Sequence, residues 1–178
     1  MHLSVDELRD KVEEFRSSGL NTQQIADELS LSQTTVQWLS ASDFEVDDKP
    51  VDVKVGWRSI AVKGERIEAI SYVFCDIIEE MVGEEIDTIV GVSINGIAFA
   101  QSVSSILDLE LSVVRSINED VAGHLSQVYA GVEGKRVVII DDVYSSGKTM
   151  SKIAEDLTNA GAAVKLCIVP VSYTHLRA

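Results

Sequence analysis

The feature that most constrains the fold is an apolar run that ends in two carboxylates. Residues 137–140 are Val-Val-Ile-Ile, Asp141 and Asp142 follow directly, and Gly147 comes shortly after them. An unbroken apolar run is typical of a strand that is buried on both faces of a sheet. Because apolar residues return at helical spacing after Gly147, the segment predicts a strand, a tight turn and a helix.

The chain from residue 51 onward repeats this alternation. Helical spacing predicts helices over residues 65–82 and 149–160, and another after a small-residue loop at 93–96. Met81 is expected on the inward face of the first of these helices. The predicted strands cover residues 51–55, 86–92, 110–115, 136–140 and 162–171. We therefore predict an α/β fold, a parallel sheet flanked by helices, whose ligands bind at the carboxyl ends of the strands.

A separate small unit is predicted over residues 1–42. Its first helix stops at Gly19, Asn21 and Gln24 match a capping box that begins a second helix, and Ser32 is a good N-cap for a third. Three short helices, with the last two joined by a tight turn, fit an all-α helix-turn-helix unit that precedes the sheet. A packing or dimerisation module fits the same pattern, and this alternative stays open.

The third predicted helix supplies the candidate DNA contacts. Its start is expected to be exposed and carries Gln33, Thr34, Thr35 and Gln37, whose side chains can hydrogen-bond the edges of bases. Phosphate attraction is missing here, because residues 17–48 contain no Lys or Arg. If this helix binds DNA, recognition must therefore depend on hydrogen bonds rather than on phosphate attraction.

The net charge disfavours nucleic-acid binding by bulk charge. The chain carries −14, and residues 1–50 contribute −7 of it, with 4 basic and 11 acidic side chains. Binding through phosphate attraction normally needs clustered Lys and Arg. A second interpretation of the acidic surface is a salt-rich cytoplasm, in which charge keeps proteins in solution and is itself screened.

The cysteines and the apolar segments favour a cytoplasmic location. Cys75 and Cys167 are the only cysteines, and both are expected to be small core residues in a reducing compartment, without a disulfide or a zinc site. The N-terminus has no apolar signal core. The twenty uncharged residues at 88–107 include Asn95 and Gln101, which favours a strand, loop and helix over a membrane span.

The loop after residues 137–140 combines two kinds of ligand contact. Backbone N–H groups and the positive end of the helix after Gly147 favour a phosphate. Asp141 and Asp142 would repel that phosphate, but they suit nearby hydroxyl groups such as those of a ribose. The segment therefore fits a ribose 5-phosphate. A nucleoside-triphosphate P-loop is disfavoured, since that motif requires glycine where Asp142 stands.

This segment resembles the phosphoribosyl diphosphate motif of type I phosphoribosyltransferases. In that motif an apolar strand precedes two acidic residues and a turn of the form Ser/Thr-Gly-x-Thr. The resemblance implies that Asp141 and Asp142 contact the ribose 2′ and 3′ hydroxyls. It also implies that the 5-phosphate is held by the turn and the start of the helix, which comprise Ser145, Ser146, Gly147, Lys148 and Thr149.

The same resemblance implies a pyrophosphate site in the loop after the strand at 86–92. The backbone amides of Ser93, Ile94, Asn95 and Gly96 would bind the pyrophosphate, and Arg115 would be a further contact. Mg²⁺ is implied on the pyrophosphate of the ligand, held largely by ligand oxygens and water. No protein residue is therefore assigned as a metal ligand.

The layout of the whole chain resembles the archaeal orotate-phosphoribosyltransferase-like regulators of the GfcR type, over roughly residues 4–170. The resemblance implies a helix-turn-helix at 1–42, a linker at 43–50 and a phosphoribosyltransferase-like domain at 51–171. Residues 172–178 are expected to be a non-native tail, with the C-terminal hood of the domain truncated. The implied protein is a homodimeric DNA-binding regulator of sugar or nucleotide metabolism. Its implied partners are operator DNA and phosphoribosyl diphosphate or a similar compound.

One loop departs from the catalytic members of that family. Those enzymes carry lysines and a His-Gly pair on a mobile loop that closes over the leaving pyrophosphate, whereas residues 115–124 contain two acids and no Lys. Charge that develops on the pyrophosphate would lack its mobile cation. We therefore assign no catalytic residue and expect ligand sensing without turnover. An active orotate or purine phosphoribosyltransferase that uses phosphoribosyl diphosphate and Mg²⁺ stays open as the alternative.

Overall fold

The computed structural model describes residues 4–29, 31–41, 57–83, 85–115, 124–144 and 147–172. The chain divides into two compact units, Met1–Ser59 and Ile60–Ala178. The predicted linker at 43–50 and the predicted strand at 51–55 lie outside the described residues, as do residues 173–178 of the predicted tail. Within the described ranges, no helix is both long enough and apolar enough to span a membrane.

The first unit contains three helices that are capped by their own side chains. They are α1 (Val5–Ser17), α2 (Thr22–Leu29) and α3 (Gln33–Leu39). The predicted capping box is confirmed: the Asn21 N–H donates to Gln24 Oε1 at 2.9 Å, and the Gln24 N–H donates to Asn21 Oδ1 at 2.9 Å. Ser32 caps α3 by accepting a 3.1 Å hydrogen bond from the Thr35 N–H, and Ser4 caps α1. These bonds satisfy N–H groups that a helix start leaves open.

Thr35 differs from the other predicted DNA contacts. It is 5 % exposed, and its Oγ1 lies 3.0 Å from Ser32 Oγ, among the apolar side chains that pack the three helices together. The expectation that Thr35 is exposed is therefore wrong, because its hydroxyl belongs to the N-cap of α3. Thr34 and Gln37 are exposed, and Gln33 is partly exposed.

The rest of the described chain alternates strands and helices. The elements are α4 (Arg58–Ala61), α5 (Gly64–Val82), β1 (Thr88–Val92), α6 (Asn95–Ile106), β2 (Glu110–Arg115), β3 (His124–Leu125), β4 (Arg136–Ile140), β5 (Val143–Tyr144), α7 (Lys148–Asn159), β6 (Ala163–Ile168) and β7 (Val171–Ser172). The helices predicted at 65–82 and 149–160 are confirmed with small shifts in their ends. So are the strands predicted at 86–92, 110–115 and 136–140.

One five-stranded sheet has the order β3-β2-β1-β4-β6. The strands β2, β1, β4 and β6 run parallel, and β3 pairs antiparallel with β2 at one edge. The chain leaves β1 through α6 to reach β2 on one side, and it leaves β4 through α7 to reach β6 on the other. The predicted parallel sheet is therefore confirmed, and the direction of winding reverses between β1 and β4.

The two central strands are buried because helices cover both of their faces. All of β1 and residues 137–140 of β4 are buried. α7 packs on the face that carries Val90 and Ile139. α6 packs on the opposite face at Gly91, where an added Cβ would lie only 2.8 Å from the Ala100 Cβ. This double cover explains why β4 is apolar without alternation.

The last predicted strand, at 162–171, is two strands. β6 ends at Ile168, and Pro170, which has no N–H to donate, separates it from β7. β7 pairs in parallel with β5, outside the main sheet. Since β5 begins directly after Asp142, this two-stranded pair anchors the first part of the loop that leads to α7.

Two side chains that were expected in the core lie at the surface. Met81 is 65 % exposed, because the buried stripe of α5 ends at Ile78. Cys167 is exposed, because it shares a face of the edge strand β6 with Lys165, which is also exposed. Cys75 is buried, as predicted.

A charged cluster joins the amino-terminal ends of β1, β2 and β4. The Asp87 carboxylate accepts hydrogen bonds from Arg136 Nε at 2.9 Å, from its Nη2 at 2.9 Å and from its backbone N–H at 2.8 Å. The bonds from the Arg136 side chain, followed by the backbone bond, hold the pKa of Asp87 well below its ordinary range. Lys135 pairs with Glu110 beside them. The cluster fixes the strands at the end of the sheet opposite their carboxyl ends.

Candidate ligand site at the carboxyl edge of the sheet

The carboxyl ends of β1 and β4 lie side by side at the point where the winding reverses. Gly91 of β1 is opposite Ile140 of β4 in the parallel register. The chain then turns away from this point in both directions, into α6 and into α7. Such a switch point opens a crevice at the sheet edge, and open α/β sheets bind their ligands there. The loops that follow β1 and β4 therefore form the candidate site.

Both predicted ribose-binding carboxylates lie at this edge. The Asp141 N–H donates to the Ile168 carbonyl at 3.3 Å, which extends the pairing of β4 with β6 by one residue. The Asp142 N–H donates to Asp141 Oδ1 at 2.8 Å. Both aspartates are partly exposed. The structure thus holds the two acids at the end of the strand and leaves them accessible from solvent.

The loop after β1 brings the predicted pyrophosphate residues beside these acids. The Ser93 N–H donates to the Val114 carbonyl at 2.9 Å, the Ser93–Ile94 peptide bond is cis, and Ile94 is 60 % exposed. Asn95 begins α6, and its Nδ2 donates to Asp142 Oδ2 at 2.8 Å. The two loops are therefore linked by a side-chain hydrogen bond across the crevice.

Gly96 allows α6 to start against the end of β4. A Cβ on Gly96 would lie 2.5 Å from the Ile140 carbonyl oxygen and 2.9 Å from the Asp141 Cα, closer than real Cβ contacts. Any larger residue would force the helix away from the strand. Glycine at this position therefore sets the width of the crevice on the side of α6.

The predicted 5-phosphate residues are only partly described. Gly147 is the N-cap of α7, with a φ of +77° that favours glycine, and its carbonyl accepts a 2.8 Å hydrogen bond from the Ser151 N–H. Lys148 is exposed and Thr149 is partly exposed in the first turn of α7. Ser145 and Ser146 lie outside the described residues, so their assignment stays a prediction.

α6 and α7 begin differently from the three helices of the first unit. Ile94 and Gly147, their N-cap residues, make no side-chain cap hydrogen bond in the described structure, and neither helix has an acidic residue in its first turn. Ser4, Asn21 and Ser32 cap α1, α2 and α3. Uncapped N–H groups and the helix dipole attract anions. Both helix starts at this edge are therefore suited to phosphate groups.

Arg115 adds a cation to the same edge. It is the last residue of β2, the neighbour of β1, and it is exposed opposite His124 of β3. Its predecessor Val114 pairs with Val92, the last residue of β1. The sequence-based assignment of Arg115 to the ligand site is therefore compatible with its place in the sheet.

The donor set at this edge fits a magnesium ion that a phosphate ligand brings with it. The described residues hold no group of three or more His, Cys, Asp or Glu side chains that could bind a metal. Mg²⁺ keeps several waters and commonly uses one or two carboxylates together with phosphate oxygens. Asp141 and Asp142 lie within the crevice, and magnesium binding there stays a prediction.

The chain matches the family model described as phosphoribosyl transferase domain over residues 56–172. Adenine phosphoribosyltransferase from Saccharomyces cerevisiae has the same fold, with a TM-score of 0.59 and 19 % identity, over 72 % of this chain and 80 % of that chain. Another solved adenine phosphoribosyltransferase gives a TM-score of 0.60 at 19 % identity, over 83 % of this chain and 89 % of that chain. The family match and the fold thus define a protein of the type I phosphoribosyltransferase class.

Two curated relatives identify the family to which the chain belongs within this class. Transcriptional regulator GfcR of Thermoplasma acidophilum is 42 % identical over 172 residues, which are 95 % of this chain and 87 % of the relative. Transcriptional regulator GfcR of Picrophilus torridus is 39 % identical over 95 % of this chain and 88 % of the relative. The chain belongs to the GfcR family of transcriptional regulators, as the sequence analysis predicted.

Sequence reasoning missed the side-chain role of Asn95. The prediction used only its backbone amide, whereas the structure directs its side chain to Asp142. The sequence contained an indication of this contact. Because Asn95 follows one predicted strand and Asp142 follows another, both residues are expected at the carboxyl edge of the sheet. The missing information was that β1 and β4 are neighbours.

Proposed function

We propose that this protein regulates transcription by binding operator DNA through its three-helix unit and a phosphorylated ribose compound through its larger unit. The ligand is phosphoribosyl diphosphate or a similar compound, and it is bound without being turned over. The observation that carries this proposal is the convergence, on one edge of the sheet, of two carboxylates and two helix starts whose N-cap residues make no side-chain cap hydrogen bond in the described part of the chain.

The chemistry of this edge matches the parts of such a ligand. Asp141 and Asp142 accept hydrogen bonds from the ribose hydroxyls. The start of α7 takes the 5-phosphate through Gly147, Lys148 and Thr149, with Ser145 and Ser146 before them. The start of α6, with Ser93, Ile94, Asn95, Gly96 and Arg115, takes the diphosphate. Mg²⁺ on that diphosphate offsets the repulsion between phosphate oxygens and the two acids.

The three-helix unit supplies the DNA contacts in this proposal. α2 and α3 form a helix-turn-helix in which Gln33, Thr34 and Gln37 face the bases. Because residues 17–48 lack Lys and Arg, few counterions are released on binding, and the affinity should fall only slowly with salt. A homodimer would place two such helices on a palindromic operator that controls genes of sugar or nucleotide metabolism.

Titration calorimetry with phosphoribosyl diphosphate and Mg²⁺ tests the ligand. The wild type should bind, and Asp142→Ala should bind about tenfold to a hundredfold more weakly, because a hydrogen bond to a charged group is lost. The matched control is Asp76→Ala on the exposed face of α5, which should bind like the wild type. A wild type that binds neither this compound nor ribose 5-phosphate overturns the sensing half of the proposal.

A mobility-shift assay with the DNA upstream of its own gene tests the other half. The wild type should give a sequence-specific shift that changes when the ligand is added. Gln37→Ala, at an exposed position of α3, should weaken the shift about tenfold, as expected for one lost base contact, and Gln101→Ala on the exposed side of α6 should not. The absence of a specific shift at both low and high salt would refute DNA binding.

Pyrophosphate release decides between sensing and catalysis. The wild type, incubated with phosphoribosyl diphosphate, Mg²⁺ and either orotate or adenine, should release no more pyrophosphate than a blank. Release that disappears in Asp141→Ala would instead make this protein an active phosphoribosyltransferase.

A further inference from the structure

We infer that Asn95 is a positioning residue that aims the Asp142 carboxylate at the sugar hydroxyls and thereby makes the site selective for ribose over deoxyribose ligands. The inference rests on the proposed function, since it assumes that a phosphorylated sugar occupies the crevice. It assigns to the Asn95 side chain a role separate from the pyrophosphate contact of its backbone.

The geometry of the link between the loops carries the inference. Asn95 Nδ2 donates to Asp142 Oδ2 at 2.8 Å, between residues 47 positions apart in the chain. Asn95 is the first residue of α6, and the next residue, Gly96, is fixed against the Ile140 carbonyl and the Asp141 Cα. The amide is therefore held at a set distance from the acid by the packing of backbone on backbone.

The other end of the bond is also fixed. The Asp142 N–H is bound to Asp141 Oδ1 at 2.8 Å, so the backbone of Asp142 is held at the end of β4. With its backbone fixed and Oδ2 bound to Asn95, the Asp142 carboxylate has one orientation. Its Oδ1 is then the atom that a sugar hydroxyl meets. Because the carboxylate is already held in its binding orientation, binding of the sugar hydroxyl costs less conformational entropy than binding to a freely rotating carboxylate.

An amide suits this position better than the alternatives. It donates to the carboxylate without adding a charge, so the ability of Asp142 to accept from a hydroxyl is preserved. A carboxylate at position 95 would repel Asp142, and a lysine would form an ion pair that competes with the ligand. The charged groups that the described chain places at the same edge are Asp141, Lys148 and Arg115.

The test compares two probes and a double-mutant cycle on the full chain. The probes are ribose 5-phosphate and 2,3-dideoxyribose 5-phosphate, which keeps the phosphate but lacks the 2- and 3-hydroxyls assigned to the two acids. Calorimetry is run on the wild type, Asn95→Ala, Asp142→Ala and the double variant. Gln101→Ala, which removes an exposed amide from the same helix, is the matched control.

We expect Asn95→Ala to weaken ribose 5-phosphate binding about tenfold and to change dideoxyribose 5-phosphate binding less than about twofold. The double variant should bind ribose 5-phosphate no more weakly than Asp142→Ala alone, because Asn95 acts through Asp142. Asn95→Asp, which has nearly the same shape, should weaken ribose 5-phosphate further, while its retained affinity for the dideoxy probe demonstrates that it is folded.

Three results would overturn the inference. One is wild-type affinity for ribose 5-phosphate in both Asn95 variants. The others are an equal loss for both probes and fully additive effects in the cycle, each of which assigns Asn95 a general structural role. A wild type that binds neither probe is a different outcome, because it refutes the proposed ligand class itself.

Discussion

Replacing Gly96 by alanine tests whether the crevice depends on the close approach of α6 to β4. The added Cβ would lie 2.5 Å from the Ile140 carbonyl oxygen and 2.9 Å from the Asp141 Cα. Both are backbone atoms at the end of a central strand, so no side-chain rotation relieves the overlap. The start of α6 must therefore move outward by about 1 Å to restore ordinary van der Waals separation.

The expected size of the effect follows from two opposed contributions. Overpacking of this kind costs about 1–3 kcal/mol. Alanine in place of a helical glycine returns at most about 1 kcal/mol through helix propensity. With the full gain in helix propensity, the free energy of unfolding should therefore fall by up to about 2 kcal/mol. The outward shift also lengthens the bond from Asn95 to Asp142, so the affinity for ribose 5-phosphate should fall about tenfold.

Urea unfolding followed by far-ultraviolet circular dichroism, together with calorimetry, measures both effects. Gly64→Ala is the matched control, because Gly64 is the first residue of α5 and a Cβ there would have nothing within 4 Å. The control should keep wild-type affinity and be equally stable or up to about 1 kcal/mol more stable. If Gly96→Ala behaves like this control, the close approach at Gly96 does not set the crevice.

Three further substitutions test other parts of the structure. Asp87→Asn removes the charge of the carboxylate that lies nearest to Arg136, whereas Glu85 remains 3.5 Å from the guanidinium. Because the pKa of Asp87 is lowered in the folded state, its stabilisation is present above the ordinary aspartate range and is lost as the pH falls through the lowered pKa. The urea midpoint of the wild type should therefore fall more steeply than that of the variant between about pH 5 and pH 2. Ser32→Ala removes the N-cap of α3 and should destabilise the three-helix unit by about 1 kcal/mol, measured by tryptophan fluorescence, since Trp38 packs in that unit. Ser112→Ala removes a buried hydroxyl that has no hydrogen-bond partner in the described part of the chain, and thermal melting should show equal stability or a gain of up to about 1 kcal/mol.

For each of these three predictions, one experimental outcome would contradict the reasoning. Parallel pH profiles for the wild type and Asp87→Asn would remove the link between the lowered pKa and stability. An unchanged fluorescence transition in Ser32→Ala would mean that the cap is dispensable. A clear loss of stability in Ser112→Ala would mean that the hydroxyl has a partner, such as a buried water.

Features with local causes could be predicted from the sequence. The capping box at Asn21, the N-cap at Ser32 and the doubly buried strand β4 all depend on residues within a few positions of each other. The two acids of the site come directly after that strand in the sequence, so their place at its carboxyl end could also be predicted. The same local reasoning placed Thr35 at the surface, where it failed, because exposure on a short helix depends on the other helices that pack against it.

Features that depend on pairing between distant segments could not be predicted. The sequence predicts which residues end strands, but it does not state that β1 and β4 are neighbours. The bond from Asn95 to Asp142 and the contacts of Asp87 with Arg136 follow from that neighbour relation. The pairing of β5 with β7 follows from the pairing of β4 with β6. Strand order is set by the packing of the helices on the whole sheet, and this information is spread over the chain.

Side chains cap α1, α2 and α3, whereas the N-cap residues of α6 and α7 make no side-chain cap hydrogen bond in the described part of the chain. The stability of the larger unit should therefore depend on the anions in the buffer. An anion that binds the folded crevice and not the unfolded chain stabilises the larger unit. At ten times its dissociation constant, such an anion adds about 1.4 kcal/mol. The larger unit in phosphate buffer is then a complex, whereas in a buffer of large organic ions it is the bare protein. The change in the melting temperature of the larger unit between the two buffers would therefore report how well any small anion fits the site.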